Sequence, residues 1–347
     1  MEILQNYDLK KLNTFGISVN AKFFVEVHSE EDLKELFVME EFSARGGSAY
    51  GGKNIPKIFL GGGSNVLFTK DFDGMVVLNK LKGIEILNEN DRAITIRAMG
   101  GEIWHDLVLF AVDRGYWGIE NLALIPGTVG ATPIQNIGAY GVELKDILVN
   151  VEAFEIETGV KRIFSKEECK LGYRDSIFKN ELKGKYFISA IVLKLSKIEN
   201  QNINYKILQD YLIENKIEIK NPKDISDAVT NIRRSKLPDP AVIGNAGSFF
   251  KNVFLEKEKF KQLIEKYPDA PYFMEDEVRK VPAGWLIEQA EWKGKRVGNV
   301  GVHDKQALVL INYGGASGEE VLDLANKIIE SIKEKFGIEL TPEVDLI

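Results

Sequence analysis

Cysteine is almost absent from this sequence. Cys169 stands alone among 347 residues, so no internal disulfide can form, and one thiol cannot build a structural zinc site. Histidine is nearly as scarce: only His28, His105 and His303 are available, so no metal centre is expected. A basic excess is missing too. Lys and Arg number 45 against 52 Asp and Glu, a net charge of −7, which lacks the electrostatic footprint of non-specific nucleic-acid binding. Local basic sites for a phosphorylated small molecule remain compatible with that balance. No stretch approaches the ~20 apolar residues of a membrane span, and the opening MEILQNYDLKKLNTFG has no apolar signal-peptide core. No internal repeat or low-complexity tract occurs, which excludes solenoids and propellers. The expectation is a cytoplasmic monomer that engages neither membrane nor nucleic acid.

What is present is an ordinary globular chain, 44% hydrophobic, long enough for two or three domains. The pattern predicts a strand over 22–28 and a helix over 29–37 that opens on a capping box, Ser29 with Asp32. A Gly- and Ser-rich loop follows at 45–54. A short apolar strand at 57–60 runs into Gly61-Gly62-Gly63-Ser64-Asn65, and VLF at 66–68 reads as strand again, a β-turn-β arrangement. Strands are expected at 75–80, 84–89 and 93–99, then a helix over 102–114 that stops before Gly115. Further strands are expected at 149–157 and 186–195. A polar stretch at 196–204 marks a boundary, and helices are expected at 224–236, 257–267, 285–290 and 321–336. The class is α+β.

Two glycine-rich loops carry the first chemical signal. Successive backbone N–H groups in GGGSN can form an anion-binding nest, and glycine admits close approach of a pyrophosphate. No Lys-Ser/Thr ending follows, so this is no Walker loop, and no helix pattern follows, so it is no Rossmann fingerprint. Taken alone, GGGSN is better explained by a tight hairpin turn, for which glycine's freedom in φ suffices. The second loop, 126–141, crowds Pro126, Gly127, Gly130, Ala131, Thr132, Pro133, Gln135, Asn136, Gly138, Tyr140 and Gly141 into a segment with few charges. Such a backbone suits close contact with a large planar cofactor. Together the loops favour a dinucleotide held by backbone dipoles.

Eight segments then carry a family resemblance: NTFGI at 13–17, GGGSNVLF at 61–68, ENLALIPGTVGATPIQNIGAYGVEL at 120–144, GYRDSIFK at 172–179, KLPDP at 236–240, GNAGSFFKN at 244–252, AGWLIEQ at 283–289 and LTPEV at 340–344. In order and spacing the chain resembles the UDP-N-acetylenolpyruvoylglucosamine reductase family, in its longer type with a tyrosine-bearing insert. It departs from the usual pattern at Val253 and Asp345. The resemblance implies a two-lobed FAD-binding domain of the vanillyl-alcohol oxidase type, at 1–75 and 76–220. A C-terminal α+β substrate-binding domain would occupy 221–347, its last strand returning to the active site.

The resemblance also implies non-covalent FAD, NADPH as hydride source, and a UDP-sugar substrate whose enolpyruvyl ether is reduced to a lactyl ether. It makes Ser248 the proton donor, with Arg174 neutralising the substrate carboxylate and Glu343 helping to polarise it. Gly61, Gly62, Gly63, Ser64, Asn65, Pro126, Gly127, Gly130, Ala131, Thr132, Gly138 and Tyr140 would hold FAD. Tyr205, Arg233, Lys236 and Asn252 would hold substrate. Singly, each of these residues has an ordinary reading: a serine after glycine suits a turn, and Arg174 could pair with Asp175. A flavin oxidase of the same fold, acting on an alcohol or sugar, shares the FAD loops and remains the alternative.

Overall fold

The computed structural model of the chain describes residues 1–39, 55–275 and 278–347. The loop expected at 45–54 lies outside them. The chain divides into two compact units, each assembled from separated stretches: Met1–Tyr7, Asn20–Gly63 and Phe72–Ser235 in the first, and Asp8–Val19, Ser64–Asp71 and Lys236–Ile347 in the second. The helix Pro222–Lys236 begins where the sequence places its last boundary, whereas the unit boundary falls at the helix's end.

The first unit contains two sheets. In the smaller one the order is Leu4–Asp8, Asn20–Val27, Phe72–Asn79, Lys57–Leu60, with the last two pairings parallel. The helix Glu30–Val38 starts as its capping box dictates: Asp32 donates its N–H to Ser29 Oγ, and the Asp32 carboxylate accepts from the Ser29 N–H. Its Leu33 and Leu36 join Phe23, Val25, Val27, Met75 and Val77 in one core. The other sheet is antiparallel, in the order Lys161–Ser165, Leu148–Glu155, Tyr186–Ser196, Ala93–Met99, Ile84–Glu89. Ala93–Met99 turns every second side chain inward, Ile94, Ile96 and Ala98. Those residues meet Trp104, Leu107 and Val108 of the helix Trp104–Val112 and Ile225 and Val229 of Pro222–Lys236.

Several elements of this unit lie beyond the sequence expectation, among them one strand and one helix that bury little. The strand Lys161–Ser165 buries only Phe164, and the helix Lys206–Glu214 buries only Leu208 and Leu212. The five residues of Lys161–Ser165 are too few to reveal a period, whereas Leu208, Tyr211 and Leu212 carry a helical spacing that the sequence did offer.

The second unit builds a sheet in the order Gly244–Ser248, Val309–Asn312, Val300–Val302, Arg296–Val297. The helix Gly318–Phe336 buries Val321, Leu324, Ala325, Ile328 and Ile332, a single helical stripe. It is capped by Ser317 and stopped by Gly337 at φ +67°. The NTFGI segment serves this sheet. Asn13 donates to the carbonyls of Leu9 and Ile17 and accepts from the Ile17 N–H. That closed loop presents the Phe15 carbonyl to Asn312 Nδ2 at 2.9 Å, and a Cβ on Gly244 would overlap the same carbonyl.

The last strand expected of the C-terminal domain is short, Asp345–Leu346, with an isolated bridge between Phe250 and Pro342. Proline has no N–H to extend a ladder, so pairing lapses around it. Asp345–Leu346 runs parallel to Val66–Leu67, while Lys57–Leu60 pairs with Phe72–Asn79. GGGSN therefore connects strands of different sheets and is not a hairpin turn.

Candidate active site

In the first unit the two glycine loops lie against each other with almost no side chain between them. A Cβ on Gly61 would overlap Thr128 Oγ1, and one on Gly62 would come within 2.8 Å of Gly127 Cα. Gly130 continues the contact: its N–H donates to the Gly100 carbonyl at 2.8 Å, and an added Cβ would lie 3.1 Å from Gly100 Cα. Thr128 Oγ1 is buried without a hydrogen-bond partner. Bare backbone plus an unsatisfied hydroxyl suits the phosphates of a dinucleotide, which accept hydrogen bonds and need close approach. The residues present fit FAD on those grounds.

The same loop continues into a strained, cationic cluster. Asn136, Tyr140 and Arg174 all take left-handed backbone conformations, φ +43°, +49° and +52°, which non-glycine residues adopt only when their surroundings enforce it. Asn136 supplies part of that enforcement: its amide donates to the Gly172 carbonyl and to Glu143 Oε2, both at 2.9 Å. Arg174 Nη2 donates to the Gly138 carbonyl at 2.8 Å. Tyr205 stands at the start of the helix Lys206–Glu214, its ring edge-on to Tyr140 at 5.5 Å. Asn121 fastens this insert to the loop, donating to the carbonyls of Tyr140 and Asn202.

Arg233 lies on the helix Pro222–Lys236, close enough to Tyr140 and Arg174 to feel both. Burial pushes its pKa down; the Tyr140 hydroxyl opposes that shift and the Arg174 cation adds to it. Its Nε is buried without a partner. Burial likewise raises the pKa of Tyr140, against the pull of Arg233. Arg233 keeps its charge in any case, because guanidinium does not deprotonate in proteins. A hydrogen-bond acceptor brought to the unpartnered Nε of Arg233 would complete its set.

The second unit holds four other expected residues and brings two of them, Ser248 and Glu343, onto neighbouring segments. Ser248 ends the strand Gly244–Ser248, directly after Gly247 at φ +68°, where the ladder with Val309–Asn312 shifts register. The Glu343 N–H donates to the Phe249 carbonyl at 2.7 Å, which places Glu343 one residue along from Ser248. Asn65 Nδ2 donates to the Glu343 carbonyl and the Asn65 carbonyl accepts from the Asp345 N–H, so Ser64-Asn65 follow the same strand. Asn252 turns its Oδ1 to the Ala283 N–H, at the start of the helix Ala283–Gln289. Lys236 is exposed at the end of the helix Pro222–Lys236. Arg174, Arg233, Tyr140 and Tyr205 belong to the first unit, and Ser248, Glu343, Asn252 and Lys236 to the second.

Known proteins match this chain from end to end. UDP-N-acetylenolpyruvoylglucosamine reductase of Flavobacterium johnsoniae is 47% identical over 349 residues, covering 100% of both chains. The chain belongs to the UDP-N-acetylenolpyruvoylglucosamine reductase family. Relatives of the same name from Amoebophilus asiaticus, 47% identical over 100% of both chains, and Bacteroides fragilis, 44% identical over 99% of both, agree. The family model for the C-terminal domain of UDP-N-acetylenolpyruvoylglucosamine reductase matches residues 239–347, and that for an FAD binding domain matches residues 21–162. The crystal structure of UDP-N-acetylenolpyruvylglucosamine reductase from Thermus caldophilus shares the fold, with a TM-score of 0.65 at 22% identity, covering 99% of this chain and 98% of that one. The α+β reading with an FAD-binding domain holds.

Within this reductase fold, sequence reasoning passed over several residues that shape the first unit's loops. Gly100-Gly101 follow a strand as GGGSN does, and a Cβ on Gly101 would lie 2.6 Å from the Leu81 nitrogen. Asn79, buried, donates to the Ile188 carbonyl and accepts from the Leu81 N–H. The paired glycines were a readable signal. Asn79 and Asn121 were not, because a buried asparagine is indistinguishable in sequence from a turn residue. Among the described residues no helix is long and apolar enough to cross a membrane.

Proposed function

We propose that the protein reduces UDP-N-acetylglucosamine enolpyruvate to UDP-N-acetylmuramate, a step toward peptidoglycan, and does so as a cytoplasmic monomer. Segments 1–75 and 76–220 would serve the FAD and 221–347 the substrate. The observation that carries this reading is the half-buried Arg233, whose buried Nε has no partner and whose charge feels both Arg174 and Tyr140. That arrangement is built for an anion, and the substrate supplies a carboxylate and a diphosphate.

Gly61 to Asn65, Pro126, Gly127, Gly130 to Thr132, Gly138 and Tyr140 would hold FAD, whose chemistry would be hydride transfer from NADPH to the terminal carbon of the enolpyruvyl double bond. The chain's own residues do the rest. Negative charge appears on the carbon beside the carboxylate and spreads into it. Arg174 neutralises that carboxylate, with Glu343 helping to polarise it, so the charge develops against preorganised partners. Ser248 Oγ–H donates the proton to the charged carbon, forming the lactyl ether, and the alkoxide regains a proton from water. Arg233, Lys236 and Asn252 hold the phosphate oxygens, where cations and amides make strong hydrogen bonds.

Purified protein should therefore show a flavin spectrum that NADPH bleaches and the UDP-enolpyruvyl sugar restores. Rapid reoxidation by air, driven by an alcohol or sugar with no enolpyruvyl substrate, would instead make it an oxidase. Tyr205, edge-on to Tyr140, acts as a lid contact that excludes water. Tyr205→Ala should raise the substrate KM about 3- to 10-fold, the scale of one aromatic contact, with FAD content unchanged. Unaltered steady-state constants would leave Tyr205 a surface residue.

A further inference from the structure

We infer that His105 is a positioning residue for the cofactor loop, and that it holds the loop only while its imidazole is neutral. The inference rests on reading 126–132 as that loop. The start of the helix Trp104–Val112 grips residues 122–129 through four hydrogen bonds. The Val129 N–H donates to the Glu102 carbonyl at 2.9 Å and the Trp104 N–H to the Gly127 carbonyl at 3.1 Å. Trp104 Nε1 donates to the Leu122 carbonyl at 2.9 Å, and the Leu124 N–H donates to His105 Nδ1 at 3.0 Å. Only the last of these depends on a titrating group.

Its target is also the most strained residue of the segment. Leu124 sits at φ +57°, a conformation a leucine keeps only when something outside the residue holds it. Two residues later comes Pro126, then Gly127, whose backbone faces Gly62. With Nδ1 accepting, the ring proton must sit on Nε2. Protonation puts a second N–H at Nδ1, donor against donor, and the Leu124 bond is lost.

The surroundings hold the ring neutral. Burial is the main cause and lowers the His105 pKa below its ordinary 6.5. Asp106 on the same helix favours the charge, while Arg233, Arg234 and Lys223 on Pro222–Lys236 oppose it. Because the folded value lies below the unfolded one, the stabilisation is fully present above pH 6.5 and is lost as the pH falls below it.

The test uses the full-length holoprotein. Hydrogen exchange at the Leu124 amide, corrected for its intrinsic pH dependence, reads the bond directly. Flavin dissociation, followed by fluorescence, reads its consequence. From about pH 8 down through the titration of His105, followed by its imidazole NMR signals, the wild type should lose protection at Leu124 and about 10-fold in flavin affinity, the scale of one hydrogen bond. His105→Asn, which keeps an acceptor near the Nδ1 position and cannot titrate, should show neither change. His105→Leu should bind flavin weakly throughout that range. Wild-type protection and affinity that stay flat on acidification would overturn the role of His105, and this arm needs no variant to fold. Protection that falls while affinity holds would leave the bond standing and overturn the cofactor-loop reading beneath it.

Discussion

Ser248→Ala should keep its bound FAD and the reduction of that flavin by NADPH, yet lose turnover by about a thousandfold or more, the upper range for a general acid. The asymmetry follows from where a proton is needed: the first half-reaction moves only a hydride, the second a hydride and a proton. The backbone explains why the change should be clean. Ser248 is placed by Gly247 at φ +68°, by Asn245 Oδ1 accepting from the Gly247 N–H at 3.0 Å, and by the Phe249 N–H donating to the Leu308 carbonyl. None of these uses the serine side chain, so alanine inherits the position. Stopped-flow measurement of each half-reaction decides the matter. A variant that holds FAD but can no longer be reduced by NADPH would remove Ser248 as proton donor.

Gly62→Ala should cost flavin affinity on the order of 10- to 100-fold. The new methyl would stand 2.8 Å from Gly127 Cα and 3.4 Å from Gly127 C. Those are backbone atoms, so no rotamer change relieves the contact and the two loops must part. Overpacking of this kind costs about 1–3 kcal/mol, which converts to the stated loss of affinity if the separation falls on the cofactor. Fluorescence titration with FAD measures it, and far-ultraviolet circular dichroism checks that the fold persists. Unchanged affinity in a folded variant would mean that the closeness of 61–62 to 127–128 serves packing alone.

Much of the fold is legible in the sequence. The capping box at Ser29 and Asp32, the alternation of Ile94, Ile96 and Ala98, and the stripe from Val321 to Ile332 are local signals, each complete within one element. The short strands of the second unit were harder, because Val253–Leu255, Arg296–Val297 and Val300–Val302 are too brief to show a period. The hairpin reading of GGGSN failed for a related reason. The true partners of 57–60 and 66–67 are not each other, and strand pairing over long separations leaves no local trace. At the site, the glycine loops announced themselves by composition. Arg174, Ser248 and Glu343 did not, since each is an ordinary residue type singled out only by the family motif around it. The strain at Arg174 and the buried Nε of Arg233 are products of tertiary structure and had no sequence signature.

The pairing of Asp345–Leu346 with Val66–Leu67 also sets a schedule for synthesis. Asn65 and Thr69 find their partners in Glu343 and Ile347, each 278 residues away. The second unit also takes in Asp8–Val19, so some of the earliest residues to leave the ribosome must wait for some of the last. The Asn20–Val27 and Phe72–Asn79 pairing can close during translation, but the strand that follows GGGSN cannot. Contacts of such separation are slow to form, and until they do, Leu67 and Phe68, buried in the finished protein, stay open to chaperones and proteases. Ribosomes stalled short of residue 345 should accordingly carry nascent chains that are cut between 64 and 71 while the first unit resists.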